Sequence, residues 1–564
     1  MVRQTFASKS IFCFVRQAIY LSVLLHLCGA PVFANSTIFH EPTKSFNHVR
    51  TFHQRITHFR PPRTRLARFH FKFGKFPPPP SYTPPPTPPV GPTVDVTQYG
   101  AVGDGKTDNY QAIQRALAAA PNGTLYFPTG TYLTSGPIVL YSQSANGAGA
   151  SSVIVGTFMD NAFTSGVFVP QGSCTISNLS INLAGAGLGA NQGVLVKNTQ
   201  GPVTINQVQM VGNFDHNVMV FGAGNVTVSN CTLANTSQNQ FGPDVILLCN
   251  SSTVLIANNT FTPATQFTGA FLDSFPLGPM SSKTATTNVT ISGNSFQGGT
   301  FYGNFITATY LSGLNITGNT FSSPQYQGPQ NSYQGSPAAI ILNGTAPLST
   351  GPVTNVQINN NNFVNIQPTS YPIGNYGVVT ITGQGQTPNV QNVVVNGNVF
   401  SQYAVPGWNC SLSIGVAITG DPGSIQNFSA TGNIMTGTCY AGFWIDSTRN
   451  IAIQNNTLSN CYGSGIYTGT GDSGSLTISN NALTNCGLAP PSSPVVTNLG
   501  LSLLGSIIVN AASNITGAAI TGNSYGTATE ANNLQYDIYC ALSKSITNES
   551  GNTDQTLLAN YGPI

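Results

Sequence analysis

Between Val228 and Tyr525 one polar and apolar signature returns ten times. Each copy opens on an apolar residue: Val228, Ile256, Ile291, Ile316, Ile358, Val395, Ala430, Ile453, Ile478 and Ile520. Three positions on stand Asn259, Asn294, Asn319, Asn361, Asn398, Asn433, Asn456, Asn481 and Asn523, with Cys231 in that place in the first copy. Two positions further every copy is apolar again: Leu233, Phe261, Phe296, Phe321, Phe363, Phe400, Met435, Leu458, Leu483 and Tyr525. The copies lie 23 to 42 residues apart, so the unit is about 23 residues and the excess is loop. A unit this short, made of β-branched strands between Asn and Gly turns, cannot bury its own apolar side and must stack on its neighbours. The recurring Asn is expected to hold the left-handed turn and to bond its counterparts through its amide, while the recurring Phe or Leu stacks inside. The prediction is an all-β fold, a single-stranded right-handed parallel β-helix, the hand following from the preference of β crossovers.

A second strand is expected in each coil: residues 218–221, 245–248, 270–273, 306–309, 340–343, 379–382, 416–419, 443–446 and 466–468. Period-two alternation then puts Met219, Ile246, Phe271, Thr307, Ile341, Thr380, Ala417, Trp444 and Tyr467 on one external face, a natural trough for an extended ligand. Long loops at 322–338, 364–376 and 401–414 carry Tyr326, Tyr333, Tyr371, Tyr376, Tyr403 and Trp408, rings suited to sugar stacking above such a face or to loop packing.

Charge divides the chain. Only 6% of its 564 residues are charged, which excludes disordered, coiled-coil and large helical-bundle classes. Residues 35–90 hold nine Lys or Arg against one acid, Glu41, whereas residues 91–564 hold six against fourteen and one histidine, His216. Ahead of both, residues 1–34 fit a signal peptide: Arg3, Lys9 and Arg16, an apolar run from Ala18 to Leu27, and Val32-Phe33-Ala34 as the cleavage site. Residues 35–76 are expected to be a basic, disordered segment that either is merely solvated or tethers the protein to an anionic cell surface. Residues 77–92 form a proline-rich linker of roughly 50 Å in polyproline form, and 93–564 the β-helix domain. No stretch after the signal is apolar enough to span a membrane, so a secreted, cell-surface or periplasmic location follows, with polysaccharide and not nucleic acid as partner. The eight cysteines outside the signal suit an oxidising compartment. Cys461 and Cys486, each three residues past a stacked Leu, are expected on successive coils, with Cys439 as a competing partner.

Asp108 with Gln111 reads as a capping box for a short helix at 111–120, a plug for the open end of the coil stack. The surrounding segment, Asp95-Val96-Thr97-Gln98-Tyr99-Gly100-Ala101-Val102-Gly103-Asp104-Gly105 through Pro128-Thr129-Gly130-Thr131-Tyr132, resembles the opening module of the pectate lyase superfamily. That superfamily takes in polygalacturonases, rhamnogalacturonase-like proteins, alginate epimerases and phage tailspikes, so the resemblance implies the fold far more than one chemistry. Asn213-Phe214-Asp215-His216, then a strand, then Gly242-Pro243-Asp244 resembles the order of the family 28 glycosidases, and implies Asp215 and Asp244 as catalytic carboxylates. The chain departs from that pattern at Pro243, at Gly269-Ala270-Phe271 where the family has Gly-His-Gly, and at Phe305-Ile306-Thr307 where it has Arg-Ile-Lys.

On adjacent coils, Asp215 and Asp244 would stand on the order of 8 Å apart, a spacing that suits an inverting hydrolase. His216 joins them as base or orienting group. Asp273 is a third acid on the outward face, and Trp444, Tyr467, Trp408 and Tyr376 are candidate substrate-binding rings. The expected function is hydrolysis of an acidic, pectin-like glycan without cofactor or metal. The alternatives are a non-catalytic polysaccharide-binding adhesin and a uronate lyase or epimerase. The lyase reading alone would bring in Ca2+ and needs a base, for which the folded part offers only Arg115 and Arg449 as arginines.

Overall fold

The computed structural model describes residues 91–564 apart from 159–164, 184–191, 200, 213, 236–244, 263–269, 275–283, 298–303, 323–337, 345–350, 367–376, 386, 402–413, 439–440, 462, 488–504, 511–514, 527–535, 541, 543–546 and 555–564. The expected signal peptide, the basic segment and most of the proline-rich stretch therefore fall outside the described residues. So do Asp244, Tyr376, Trp408 and Cys439.

The described residues form a right-handed parallel β-helix. One ladder system holds 30 strands, and a second sheet holds 14, all paired in parallel among the described residues. The aligned columns of the sequence are the columns of the structure: Val228 pairs with Ile256, Ile256 with Ile291, and so on to Ile478 with Ile520. Five rings of the second column, Phe261, Phe296, Phe321, Phe363 and Phe400, stack face to face with centroids 4.6 to 4.8 Å apart. That spacing is the distance between hydrogen-bonded strands, so each ring sits one coil above the last.

The Asn column is a continuous hydrogen-bonded ladder. Each side-chain oxygen accepts from the backbone and side-chain amides of the Asn one coil earlier, as Asn398 Oδ1 does from Asn361 N at 2.9 Å and Nδ2 at 3.0 Å. Each Nδ2 also reaches a backbone carbonyl one coil back, such as Ile358 from Asn398 at 2.7 Å. The ladder starts where Cys231 N donates to Asn259 and runs one step beyond the repeats seen in sequence, to Asn552. The expected left-handed role belongs to the preceding residue instead: Asn258 (φ 55°), Gly293 (63°), Asn360 (54°) and Gly397 (62°). Asn and Gly take positive φ at low cost, so one turn position supplies the bend while its neighbour is left free to bond along the stack.

The helix α1 (Tyr110–Ala119) buries Ala112, Ile113, Ala116 and Leu117 in the same core as the coils. The capping box does not form. The N-cap is Asn109, whose side chain bonds Val102 and Thr107, and Asp108 instead accepts from Tyr110 N and Ser135 N.

The second sheet carries the candidate site. Its strands include β1 (Gln192–Lys197), β2 (Val218–Phe221), β3 (Ile246–Cys249), β4 (Leu272–Ser274), β5 (Ala441–Ile445) and β7 (Ser464–Thr468). Two strands of the other ladder, β6 (Thr457–Cys461) and β8 (Ala482–Cys486), lie beneath them. In this sheet the outward register corrects the expectation at two places. Leu195, Met219, Leu247, Asp273 and Thr307 share the outward column, whereas Ile246 and Phe271 face the core. Both strands are apolar at consecutive positions, so alternation did not mark which parity faces inward.

Candidate functional site

Phe214 and Asn217 turn inward just before β2: Phe214 is buried, and Asn217 Nδ2 donates to the carbonyls of Met210 and Ala234 across the interior. With those two anchored, Asp215 and His216 are held together at the head of β2. Gln192 at the head of β1 holds the position equivalent to His216, because Val194 pairs with Val218.

Three polar atoms meet there. Gln192 Nε2 donates to Asp215 Oδ2 at 3.3 Å and lies 3.4 Å from His216 Nδ1, which in turn lies 3.4 Å from the same carboxylate oxygen. Gln192 and His216 are buried, whereas the Asp215 side chain keeps 17% of its surface exposed. Gln192 Oε1 is buried without a hydrogen-bond partner, an acceptor that a bound hydroxyl would satisfy. Beside this triangle lies an outer apolar floor of Leu195, Met219, Leu247 and Cys249, packed with Val169 and Phe221 and separate from the main core. A mostly buried but still accessible carboxylate next to an imidazole, oriented by a buried amide, can move a proton to or from a bound group.

The structure brings Asp215 and His216 together and adds Gln192, which the sequence reading missed. Aligning Val194-Leu195-Val196 with Val218-Met219-Val220 would have found it, since Gln192 and His216 both stand two residues ahead. Asp273 is not part of the cluster. It sits two coils away and four residues along the register, roughly 16 Å from Asp215, beyond the ~6.5–9.5 Å of an inverting carboxylate pair. The expected hydrolytic partner, Asp244, lies outside the described residues. Among the described residues no group of three or more His, Cys, Asp or Glu could hold a metal ion. Arg115 donates twice to the Tyr99 carbonyl, which makes it a structural tie rather than a lyase base.

Farther along the outward column Trp444 and Tyr467 stack at 4.0 Å. Both are buried, as are Leu195, Met219, Thr380 and Ala417, so the expected open trough is not what this column presents; it is partly exposed at Asp273 and Thr307. At the corner after β5, Ser447 takes φ 69° and Asp446 accepts from Gly471 N, which makes Asp446-Ser447-Thr448-Arg449 a structural turn.

Asp472, one coil on, is buried with its oxygens on Thr448 N and Gly469 N, and burial pushes its carboxyl well above the usual range, with Asp446 adding to the rise. A raised folded-state value means that the native protein holds this proton more tightly than the unfolded chain. Its stabilisation is therefore present below about pH 4, the ordinary Asp value, and is lost as the pH rises through the folded value. Thermal midpoints across that range should fall with rising pH in the wild type and change less in Asp472→Asn; parallel curves would reject the assignment.

Comparison with known proteins agrees with this architecture. Residues 93–296 match the family model described as rhamnogalacturonase A/epimerase, pectate lyase-like, a stretch that contains Gln192, Asp215 and His216. Fold and match agree: this region resembles the pectate-lyase-like parallel β-helix proteins. Over 137 residues the chain is 30% identical to a pre-neck appendage protein of Bacillus phage B103, covering 24% of this chain and 15% of that protein. Over 257 residues it is 26% identical to the plasmin and fibronectin-binding protein A of Streptococcus pneumoniae, covering 42% of this chain and 34% of that protein. The matches thus span about a third or less of either relative. Among solved structures, the pre-mature gene product 12 of bacteriophage phi29 superposes with a TM-score of 0.55 at 18% identity, over 80% of this chain and 57% of that one, a likeness of fold.

Proposed function

We propose that this chain is an exported polysaccharide-acting β-helix protein that hydrolyses its glycan beside the head of β2. Asp215 moves the proton, His216 and Gln192 hold it in place, and Asp244 supplies the second carboxylate. The observation that carries this reading is the partly exposed Asp215 carboxylate, oriented by two buried polar side chains beside an apolar floor, inside the family-matched stretch. Asp273, partly exposed on the same face, would contact the glycan away from the reacting bond. Reducing-end release from a panel of polysaccharides, acidic and neutral, tests it when read beside ultraviolet absorbance. Hydrolysis gives new reducing ends without absorbance, elimination gives both, and absence of either from every polysaccharide would reject catalysis.

A second reading, glycan or surface binding without turnover, is favoured by the names of the two sequence relatives, an appendage protein and a plasmin and fibronectin-binding protein. The family model's own description, which names a rhamnogalacturonase and an epimerase, favours chemistry on the glycan.

In either reading residues 35–76 tether the protein to anionic surfaces and the proline-rich linker keeps the β-helix clear of them. Deleting residues 35–90 should abolish retention on insoluble acidic polysaccharide at low salt and spare activity on soluble substrate. Retention of the full chain should drop steeply at roughly tenfold higher salt, where the screening length shrinks to a few Å. Equal retention of both proteins would remove the tether.

A further inference from the structure

Among the six described cysteines, all buried, Cys461 and Cys486 face each other as in-register neighbours, on β6 and β8. Both belong to the main core, and the Cys461 thiol hydrogen-bonds to Cys486. In-register neighbours of a parallel pair stand about 4.8 Å apart at Cα, inside the ~4.4–6.8 Å that a disulfide spans without backbone movement. The Cys461 carbonyl also accepts from Gly487 N, so the two coils are already joined by backbone at this point.

We propose that Cys461 and Cys486 form a disulfide that staples two successive coils in the C-terminal part of the β-helix. The two thiols lose two protons and two electrons as the S–S bond forms. The oxidant is a small-molecule or protein disulfide, which is attacked by one thiolate, passes through a mixed disulfide, and leaves as two thiols. Burial pushes the Cys486 thiol well up, whereas the hydrogen bond with Cys486 holds the Cys461 thiol below its usual range, so Cys461 is the thiol that supplies the attacking thiolate. Both sulfurs are buried in the finished fold, out of reach of an oxidant, so the bond forms during folding, before the last coils close over the pair. Cys174 and Cys231, pushed by burial up to about 12 and about 11, have no in-register cysteine neighbour among the described residues.

The full chain, refolded in a mixture of oxidised and reduced glutathione, is unfolded in alkylating reagent and mapped by peptide mass. The expected result is one linked peptide pair containing Cys461 and Cys486, lighter by two hydrogens than the two free peptides. Both cysteines alkylated, or either one linked to Cys439 or any other cysteine, would overturn the proposal. Reduction should lower the thermal midpoint of the oxidised wild type by roughly 2–5 °C and leave the C461S/C486S and C461A/C486A proteins unchanged. A wild type indifferent to reductant would overturn it equally. The outcome does not depend on what the β-helix acts upon.

Discussion

Replacing Asn398 with Ala should destabilise the β-helix by at least ~3 kcal/mol, whereas Asn362→Ala should cost less than ~0.5 kcal/mol. Asn398 is fully buried, and its amide takes two bonds from Asn361 and gives one to Ile358 O and one to Asn433 Oδ1. Truncation leaves at least three of these buried groups unsatisfied, at about 1–3 kcal/mol each before relaxation. From sequence alone, with only a turn residue in view, the expected loss is ~1–3 kcal/mol; the ladder puts it at the upper end or above. Asn362, the residue after the ladder's Asn361, is exposed and makes no side-chain bond of this kind. Chemical denaturation of the two variants checks the contrast. Equal midpoints would mean that the Asn ladder contributes nothing beyond its turns.

The second large effect is on activity. Asp215→Asn keeps the size of the side chain and an oxygen for Gln192 to bond, but cannot carry the proton. It should lower glycan hydrolysis roughly 100-fold or more while leaving the thermal midpoint close to that of wild type. Asp273→Asn, roughly 16 Å away, should retain most of the rate and show its effect in substrate affinity. Should Asp273→Asn prove the more damaging of the two in rate, the centre of the site would lie along the outward column and not at the head of β2.

The fold was legible because one distance governs it. Every coil must return to the same place about 4.8 Å above the last, so whatever fills a turn or an interior position fills it again, and the Asn and Phe columns stand out against loops of any length. The division of labour between Asn398 and Gly397 was not legible, since both residues suit a tight turn and only backbone angles separate bending from bonding. The outward register failed at Ile246 and Phe271 for a related reason. Val245-Ile246-Leu247-Leu248 and Ala270-Phe271-Leu272 are apolar at both parities, because the outward side of this sheet is itself buried around Leu195, Met219 and Leu247.

The site was half legible. Asp215 and His216 are adjacent in sequence and stand out in a region with few charges, but Gln192 reaches them from the preceding coil. That coil carries neither the Asn nor the Phe signature, so nothing in the repeat pointed to it. Trp444 and Tyr467 were correctly placed in one column. Their burial was not foreseeable, because alternation reports which side of a strand a residue faces and not whether that side is covered.

Wild type and Asp215→Asn compared on one polysaccharide, with reducing-end release and retention measured on the same samples, test the central claim most directly. The account predicts that wild type cleaves the glycan while Asp215→Asn still binds it and releases almost nothing. Equal release by the two proteins, or retention of both with no release by either, would contradict it.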